Sequence, residues 1–387
     1  CTCYRTVVGS MRKTSSRAKR KTLHVCSESE TATALERAVR NGVRAINEVY
    51  GLRLPSCTIP KGTPCCEAFR IAKQFTAGYF ESLNGRGAHV WKKIIRNKVG
   101  IRVRFAIAGA LLSVKKLFPP TCEVMQLDTK RSHASLMTST VAVDQEFLRY
   151  VREEIPKIFK NGWDRRYEKK CASICINASA CSERPRKAGG AHDDWISGDV
   201  SCMLRENCLE PEDPQEVYRR CAMAEDIPIV ESEGGKLGPA FYPAEHRVGA
   251  NVVETKGKAR LISISSMKHA VLKPLHEVMY DHLSSLPWLL RGDATPASLE
   301  CISLGRDDEV IVSGDYKDAT DALSLEVSEV ILAAVLERSR HVPEPVKEMA
   351  LRSLHAEITY KMGKGKGEER LVVKQTRGQL MGNYLSF

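Results

Sequence analysis

A chain of 387 residues can build two or three compact domains, each burying a core of its own. Its 43% hydrophobic and 27% charged residues read as an ordinary soluble protein, and the longest apolar run, 105–114, is closed by Lys115 and Lys116, too short for a bilayer of about 30 Å. The excess of 59 Lys+Arg over 47 Asp+Glu gives +12 and a pI near 9.0, which favours a polyanionic partner without naming it.

The chain opens on Cys1 and closes on Phe387 inside an apolar run with Tyr384 and Leu385, so both ends read as cuts. Arg5, Arg12, Lys13, Arg17, Lys19, Arg20 and Lys21 all precede the first acidic residue, Glu28. Such a segment is either a phosphate-seeking arm or a solvated tail. Helical periodicity follows over 30–50 (Ala34, Leu35, Ala38, Val39, Val43, Ile46), and the run 105–114 reads as a buried core helix. A second amphipathic stretch carries Phe147, Tyr150, Val151 and Ile155 until Pro156 interrupts it. The N-terminal half is therefore expected to be mainly helical.

Over 170–214 the composition shifts to Cys, Ser, Gly and Asp and predicts a long loop. The run Glu233-Gly234-Gly235-Lys236-Leu237-Gly238-Pro239 predicts a turn or linker, after which Val252 and Val253 begin one extended run that continues through Leu261, Ile262 and Ile264. A helix over about 268–286, a short strand Val310-Ile311-Val312 and a helix with the stripe Leu323, Val327, Val330, Ile331 and Ala334 come next. The Pro343 and Pro345 pair ends that helix. A short helix over 346–355 leads into a hairpin, 358–361 and 371–374, about the turn Gly363-Lys364-Gly365-Lys366-Gly367. There is no internal repeat.

Three segments carry chemistry. The first is the predicted Val310 strand, which ends by presenting Asp315, with Asp318 and Asp321 following where the chain turns into a helix. A carboxylate at a strand end can hold Mg²⁺ against a triphosphate, provided a second carboxylate comes from elsewhere. Asp318 or Asp321 could equally cap the helix. The second is Lys256-Gly257-Lys258-Ala259-Arg260. If extended, alternation sets Lys256, Lys258 and Arg260 on one face over roughly 13 Å, the reach of a triphosphate. An edge strand guarded by lysines against aggregation has the same composition. The third is Gln375-Thr376-Arg377-Gly378-Gln379-Leu380-Met381-Gly382-Asn383, followed by Ser386, where two glycines bracket a loop that could approach a nucleic acid closely or simply turn tightly.

Their order, Lys-x-Lys-x-Arg, then a strand-borne Asp315 with Ala319-Thr320 before Asp321, then Arg377-Gly378-Gln379-Leu380-Met381-Gly382-Asn383, resembles motifs F, A and B of viral RNA-dependent RNA polymerases. The versions here are most similar to those of ourmiavirus-like (botourmiavirus) enzymes, with narnaviruses and levivirus replicases more distant. The segment 179–190 is also similar to a Cys-x-Glu-x-x-Arg-x-x-Gly-Gly stretch upstream of motif F in that group. The resemblance covers about 179–387 and leaves the first 170 residues unmatched.

The resemblance implies an α+β right-hand polymerase: a helical N-terminal region over 1–170, fingers with motif F over 171–300, and a partial palm over 301–387. It implies an RNA template and product, nucleoside triphosphates, and two Mg²⁺ or Mn²⁺ ions in the complete enzyme. No membrane span is expected, and the location is the host cytoplasm. Asp315 would be the catalytic metal ligand; Lys256, Lys258 and Arg260 would bind the triphosphate. Asp321 and Asn383 would read the ribose, and Arg377, Gly378, Gln379, Gly382 and Ser386 would line the motif B loop. Motif C, a Gly-Asp-Asp, does not follow motif B before Phe387, and Gly305-Arg306-Asp307-Asp308 reads as a surface turn, so the chain by itself is expected to be inactive.

A reverse transcriptase fits less well, because its motif A usually carries an aromatic gate where polar residues stand here. A non-catalytic viral RNA-binding or packaging protein accounts for the charge but not for the ordered segments. The fourteen cysteines follow no secreted framework and read as free thiols in a reducing compartment. Cys171, Cys175, Cys181, Cys202, Cys208 and Cys221 with His192 lack the paired spacing of a zinc site, and His192-Asp193-Asp194 reads as an exposed acidic loop.

Overall fold

A computed structural model describes residues 28–83, 91, 100–197, 213–225, 229–231, 237–239, 242, 246–293, 295, 319–363 and 369–386. The fold is α+β, mostly helical with one four-stranded sheet. The described residues form two compact units, one drawn from Cys1–Lys130 and Val252–Arg260, the other from Arg131–Asn251 and Leu261–Phe387. These are units of packing, whereas the regions 1–170, 171–300 and 301–387 divide the chain by motif content.

In the first unit, α1 (Glu28–Tyr50) buries Leu35, Val39, Val43 and Ile46, the stripe that a helical period aligns. It packs with α2 (Cys65–Leu83), α3 (Ile101–Ser113) and the 3₁₀ turn Val114–Leu117 around Phe69, Tyr79, Trp91, Ile107 and Leu111. The run 105–114 is only half a core helix, since Phe105 is 51% exposed while Ile107, Ala108, Leu111 and Val114 are buried. One face meets α1 and α2, and the other has no cover among the described residues.

The expected single strand through 252–264 is instead two strands, β3 (His246–Thr255) and β4 (Lys258–Ser265), joined by Lys256 and Gly257. Both joining residues have positive φ, 52° and 68°, the conformation of a two-residue type I′ hairpin turn. Gly257 meets the turn's demand without strain. It also permits close packing, because a Cβ there would lie 2.7 Å from Phe118 and 3.0 Å from Phe69. Lys256 therefore leaves the alternating face that Lys258 and Arg260 keep. At the end of β3, the Thr121 hydroxyl donates to Glu254, and Gln126 Nε2 donates to the same Oε1 at 3.0 Å.

The sheet order is β4-β3-β5-β6, with β5 (Ala356–Lys361) parallel to β3 and antiparallel to β6 (Arg370–Lys374). Alternation along β5 buries Ala356, Ile358 and Tyr360 against Ala134 and Met137 of α4 (Glu123–Met137) and against Val248, Ala250 and Leu380. A larger helical core gathers Tyr167, Tyr218, Leu272, Leu275, Val335 and Met349. Its polar tips are paired: Tyr167 donates to the Ala222 carbonyl at 2.8 Å and Tyr218 to that of Ala270 at 2.9 Å.

Several expectations shift here. Pro156 lies inside α5 (Gln145–Ile158) and does not interrupt it, because only the last turn remains beyond it and its missing N–H falls near the helix end. Phe147 and Tyr150 are exposed, and Leu148 and Ile155 carry the burial. The region 170–214 is not one loop: it includes the end of α6 (Tyr167–Ser173), the 3₁₀ turn Arg186–Ala188, α7 (Gly190–Ser197) and the first residue of α8 (Pro214–Met223). The expected linker at 233–239 ends in a strand, Leu237–Pro239 (β2), paired with Ile229–Glu231 (β1).

Downstream, the 3₁₀ turn Met267–Leu272 precedes α9 (Lys273–Ser284). After the four-residue α10 (Ala319–Ala322), Ser324 caps α11 (Leu325–Glu337), whose buried stripe is Leu325, Ser328, Leu332 and Val335. Leu323 precedes the cap and is 42% exposed, so the expected stripe was out of phase. The turn from α11 into α12 (Glu344–Arg352) is closed by Asp164, which is fully buried and accepts from the Ser339 hydroxyl and from the N–H of Arg340, His341 and Val342. The Val310 strand and the 305–308 turn lie outside the described residues.

Candidate functional site

Asp315 lies outside the described residues, as does Asp318. Asp321 is described, on α10. It does not cap α11, because Ser324 does so by accepting from the Val327 N–H. Its carboxylate accepts from the Thr320 hydroxyl at 3.4 Å and has 26% side-chain exposure.

The loop after β6 closes directly on this helix. The N–H of Gly378 donates to the Leu323 carbonyl at 2.9 Å and that of Gln379 to the Thr320 carbonyl at 2.8 Å, while Ser324 and Arg377 form an isolated β-bridge. Arg377 is turned inward: Nε and Nη2 donate to the Ala322 carbonyl at 3.2 and 3.1 Å, and Nη1 to the Ser139 hydroxyl at 3.3 Å. It therefore clamps the end of α10, where a free carbonyl needs a donor. Gln375, buried beneath, accepts from the Ala356 N–H and donates to the Gly378 carbonyl at 2.7 Å. Asp321, Arg377, Gly378 and Gln379 are thus brought together.

Sequence reasoning missed two neighbours of that carboxylate. His133, on α4, has Nε2 4.0 Å from Asp321 Oδ2, and its Nδ1 lies 2.7 Å from the Tyr360 hydroxyl on β5. Burial holds the His133 imidazole below its ordinary pKa, against the pull of Asp321. Burial also pushes the Tyr360 phenol up, with Asp321 adding to it. Asp321 accordingly faces a neutral ring, and the group can accept a hydrogen bond from a hydroxyl. The only sequence signal for His133 is a lone histidine on a polar helix, which nothing connects to Asp321 before folding.

The rest of the loop is bound inside the chain. Ser263 donates through both its N–H, at 2.8 Å, and its hydroxyl, at 3.0 Å, to the Met381 carbonyl just before Gly382. Asn383 donates to the Ser353 carbonyl at 2.8 Å and accepts from the Leu385 N–H, so both ends of its amide are in use. Each end keeps capacity for a further bond, since the amide carries two N–H donors and two oxygen lone pairs. The Ser386 hydroxyl and Gln379 Oε1 are buried without a partner.

Lys256, Lys258 and Arg260 are exposed in the other unit. Cys181, Glu183 and Asp194 could converge on a metal ion, their donor atoms lying within 4.8 Å of one another. Two of these donors have protein partners, however: Glu183 accepts from the Met267 N–H and Asp194 faces Arg184. Cys171 and Cys221 are free, and burial raises both thiols to about 12, far from the thiolate a metal needs. A cavity of about 620 Å³ lined by Lys157, Trp163, Arg166, Asp281 and His282 includes none of the expected site residues. No helix among the described residues is long and apolar enough to cross a membrane.

No protein-family model matches the sequence, and no curated protein matches it.

Proposed function

We propose that this chain carries the fingers and part of the palm of a viral RNA-dependent RNA polymerase, joining nucleotides from nucleoside triphosphates on an RNA template. One observation carries the reading: 377–379 is bound backbone to backbone on 320–323, so the carboxylate that follows Asp315 and the glycine loop, distant in sequence, form one surface. A protein that only neutralises phosphate has no need of that pairing, which is the arrangement a motif A and motif B pair requires.

In this reading Asp315 holds the divalent ions, which when bound stabilise the attacking and leaving oxygens. Asp321 faces the His133 imidazole, an environment that suits a hydroxyl acceptor. It reads the ribose 2′-hydroxyl. Lys256, Lys258 and Arg260 neutralise the triphosphate.

The test is sugar discrimination by the protein translated from the complete reading frame. Asp321→Asn should keep incorporation while lowering the preference for ribonucleotides over deoxyribonucleotides about tenfold or more, the cost of one charge-assisted hydrogen bond. An unchanged preference would remove Asp321 from the ribose site, and the pairing with it from the argument.

A further inference from the structure

The type I′ turn at Lys256 and Gly257 does more than reverse the chain. Gly257 seats the hairpin tip against Phe69 of α2 and Phe118, whose rings lie 6.2 Å apart. Lys73 lies over the Phe69 ring, its Nζ 5.7 Å from the centroid, and Lys115 is three residues before Phe118, whose N–H donates back to the Lys115 carbonyl. Docking the tip on the two rings therefore brings Lys258 near Lys73 and Lys115, and Lys256 near Lys115.

The effect of this crowding falls on Lys73 and Lys115. Lys73 and Lys115 are half-buried, and each is held below the ordinary lysine value, first by burial and then by Lys258, with Lys256 adding to the effect on Lys115. Glu81 is the one acid that opposes this at Lys115. Glu254, close by in sequence, is engaged by Thr121 and Gln126. Among the described residues no carboxylate pairs with any of the four lysines. Converging cations, two of them half desolvated and with Glu81 the one acid acting against the repulsion, cost folding energy that a bound anion returns.

We propose that Lys73, Lys115, Lys256 and Lys258 form one binding site for consecutive phosphates, to which the region outside the motif resemblance contributes Lys73 and Lys115. The site deepens the polymerase reading and rests on it only for the identity of the natural ligand. The same chemistry fits a nucleotide triphosphate tail and an RNA backbone.

Tripolyphosphate, UTP and a short single-stranded RNA, each titrated into the full chain at low and moderate salt, distinguish these sources. In Lys73→Gln/Lys115→Gln, affinity for at least one of the three should fall about tenfold or more. If RNA is the ligand, the salt slope should also drop by about 0.7 per lysine removed. Lys73→Arg/Lys115→Arg should retain binding. Loss confined to tripolyphosphate and UTP assigns the site to the triphosphate, and loss confined to RNA assigns it to the backbone. Unchanged binding of all three overturns the proposal. Relieving the repulsion should leave the melting temperature of the Gln variant level or higher, and a fall would show that the lysines serve packing instead. A site that behaves as described, together with no incorporation by the protein translated from the complete reading frame, would remove the polymerase reading and leave the phosphate site standing.

Discussion

The Asp321 carbonyl oxygen occupies the space that a side chain on residue 378 would need: a Cβ built there lies 2.6 Å from that oxygen and 2.8 Å from Met137 Cε. Gly378 also has φ of 78°, in the left-handed region. Gly378→Ala should thus force the loop off α10, destabilising the protein by about 1–3 kcal/mol. If the protein translated from the complete reading frame is the proposed polymerase, incorporation should fall further than that loss of stability accounts for. A variant with wild-type melting and wild-type activity would mean that the contact constrains nothing.

His133 offers a direct reading of the electrostatics around Asp321. By ¹⁵N-detected titration its pKa should lie below the ordinary histidine value near 6.5. Asp321 supports the charged form of the ring, so Asp321→Asn should lower the value further. A rise on that substitution would show that the carboxylate does not face the imidazole.

Two buried histidines set the acid limit. His246 and His269 pack with ring centroids 4.2 Å apart and planes tilted by 34°, and burial depresses them to about 4 and about 3. Both are below the unfolded value near 6.5, so the unfolded state binds more protons as pH falls through that window. Stability is therefore complete above about pH 6.5 and should decline below it, by about 3 kcal/mol for each ring at pH 4. Urea melts at several pH values measure this, and His269→Phe should remove roughly half of the dependence. A flat profile between pH 7 and pH 4 would contradict the assignment.

Asp164 makes an opposite kind of contribution. Burial would raise its pKa, but hydrogen bonds from Ser339 and from the N–H groups of Arg340, His341 and Val342 hold it below the ordinary aspartate value. Its stabilisation is present above the unfolded value near 3.9 and disappears as pH falls through the lowered one. Asp164→Ala strands buried donors and should cost about 3 kcal/mol or more at neutral pH, measured by denaturant unfolding.

How much of this could be read in advance depended on range. The spacing of Leu35, Val39, Val43 and Ile46 was enough to announce α1, because period and burial agree along one element. The β5–β6 hairpin was legible for the same local reason. Lys256-Gly257 misled, since alternation of charge over 256–260 imitates a continuous strand while the turn depends on two positive φ angles. The Leu323 stripe failed because Ser324 starts the helix two residues later than apolar content suggests. Asp321 and the 377–383 loop stood out as residues, but the α10 carbonyls that Arg377 and Gln379 bind, the Ser353 carbonyl that takes Asn383, and His133 with Tyr360 behind Asp321 are long-range contacts with no local pattern.

The central claim is that Asp315 is a metal-binding carboxylate of a polymerase. Its most direct test is RNA-templated nucleotide incorporation in the presence of Mg²⁺ by the protein translated from the complete reading frame, beside its Asp315→Asn variant, which keeps the side chain's shape and removes its charge. Incorporation by the first and none by the second, with RNA binding and melting temperature unchanged, is the expected result. Equal incorporation by both, or none by either while both bind RNA, would contradict it.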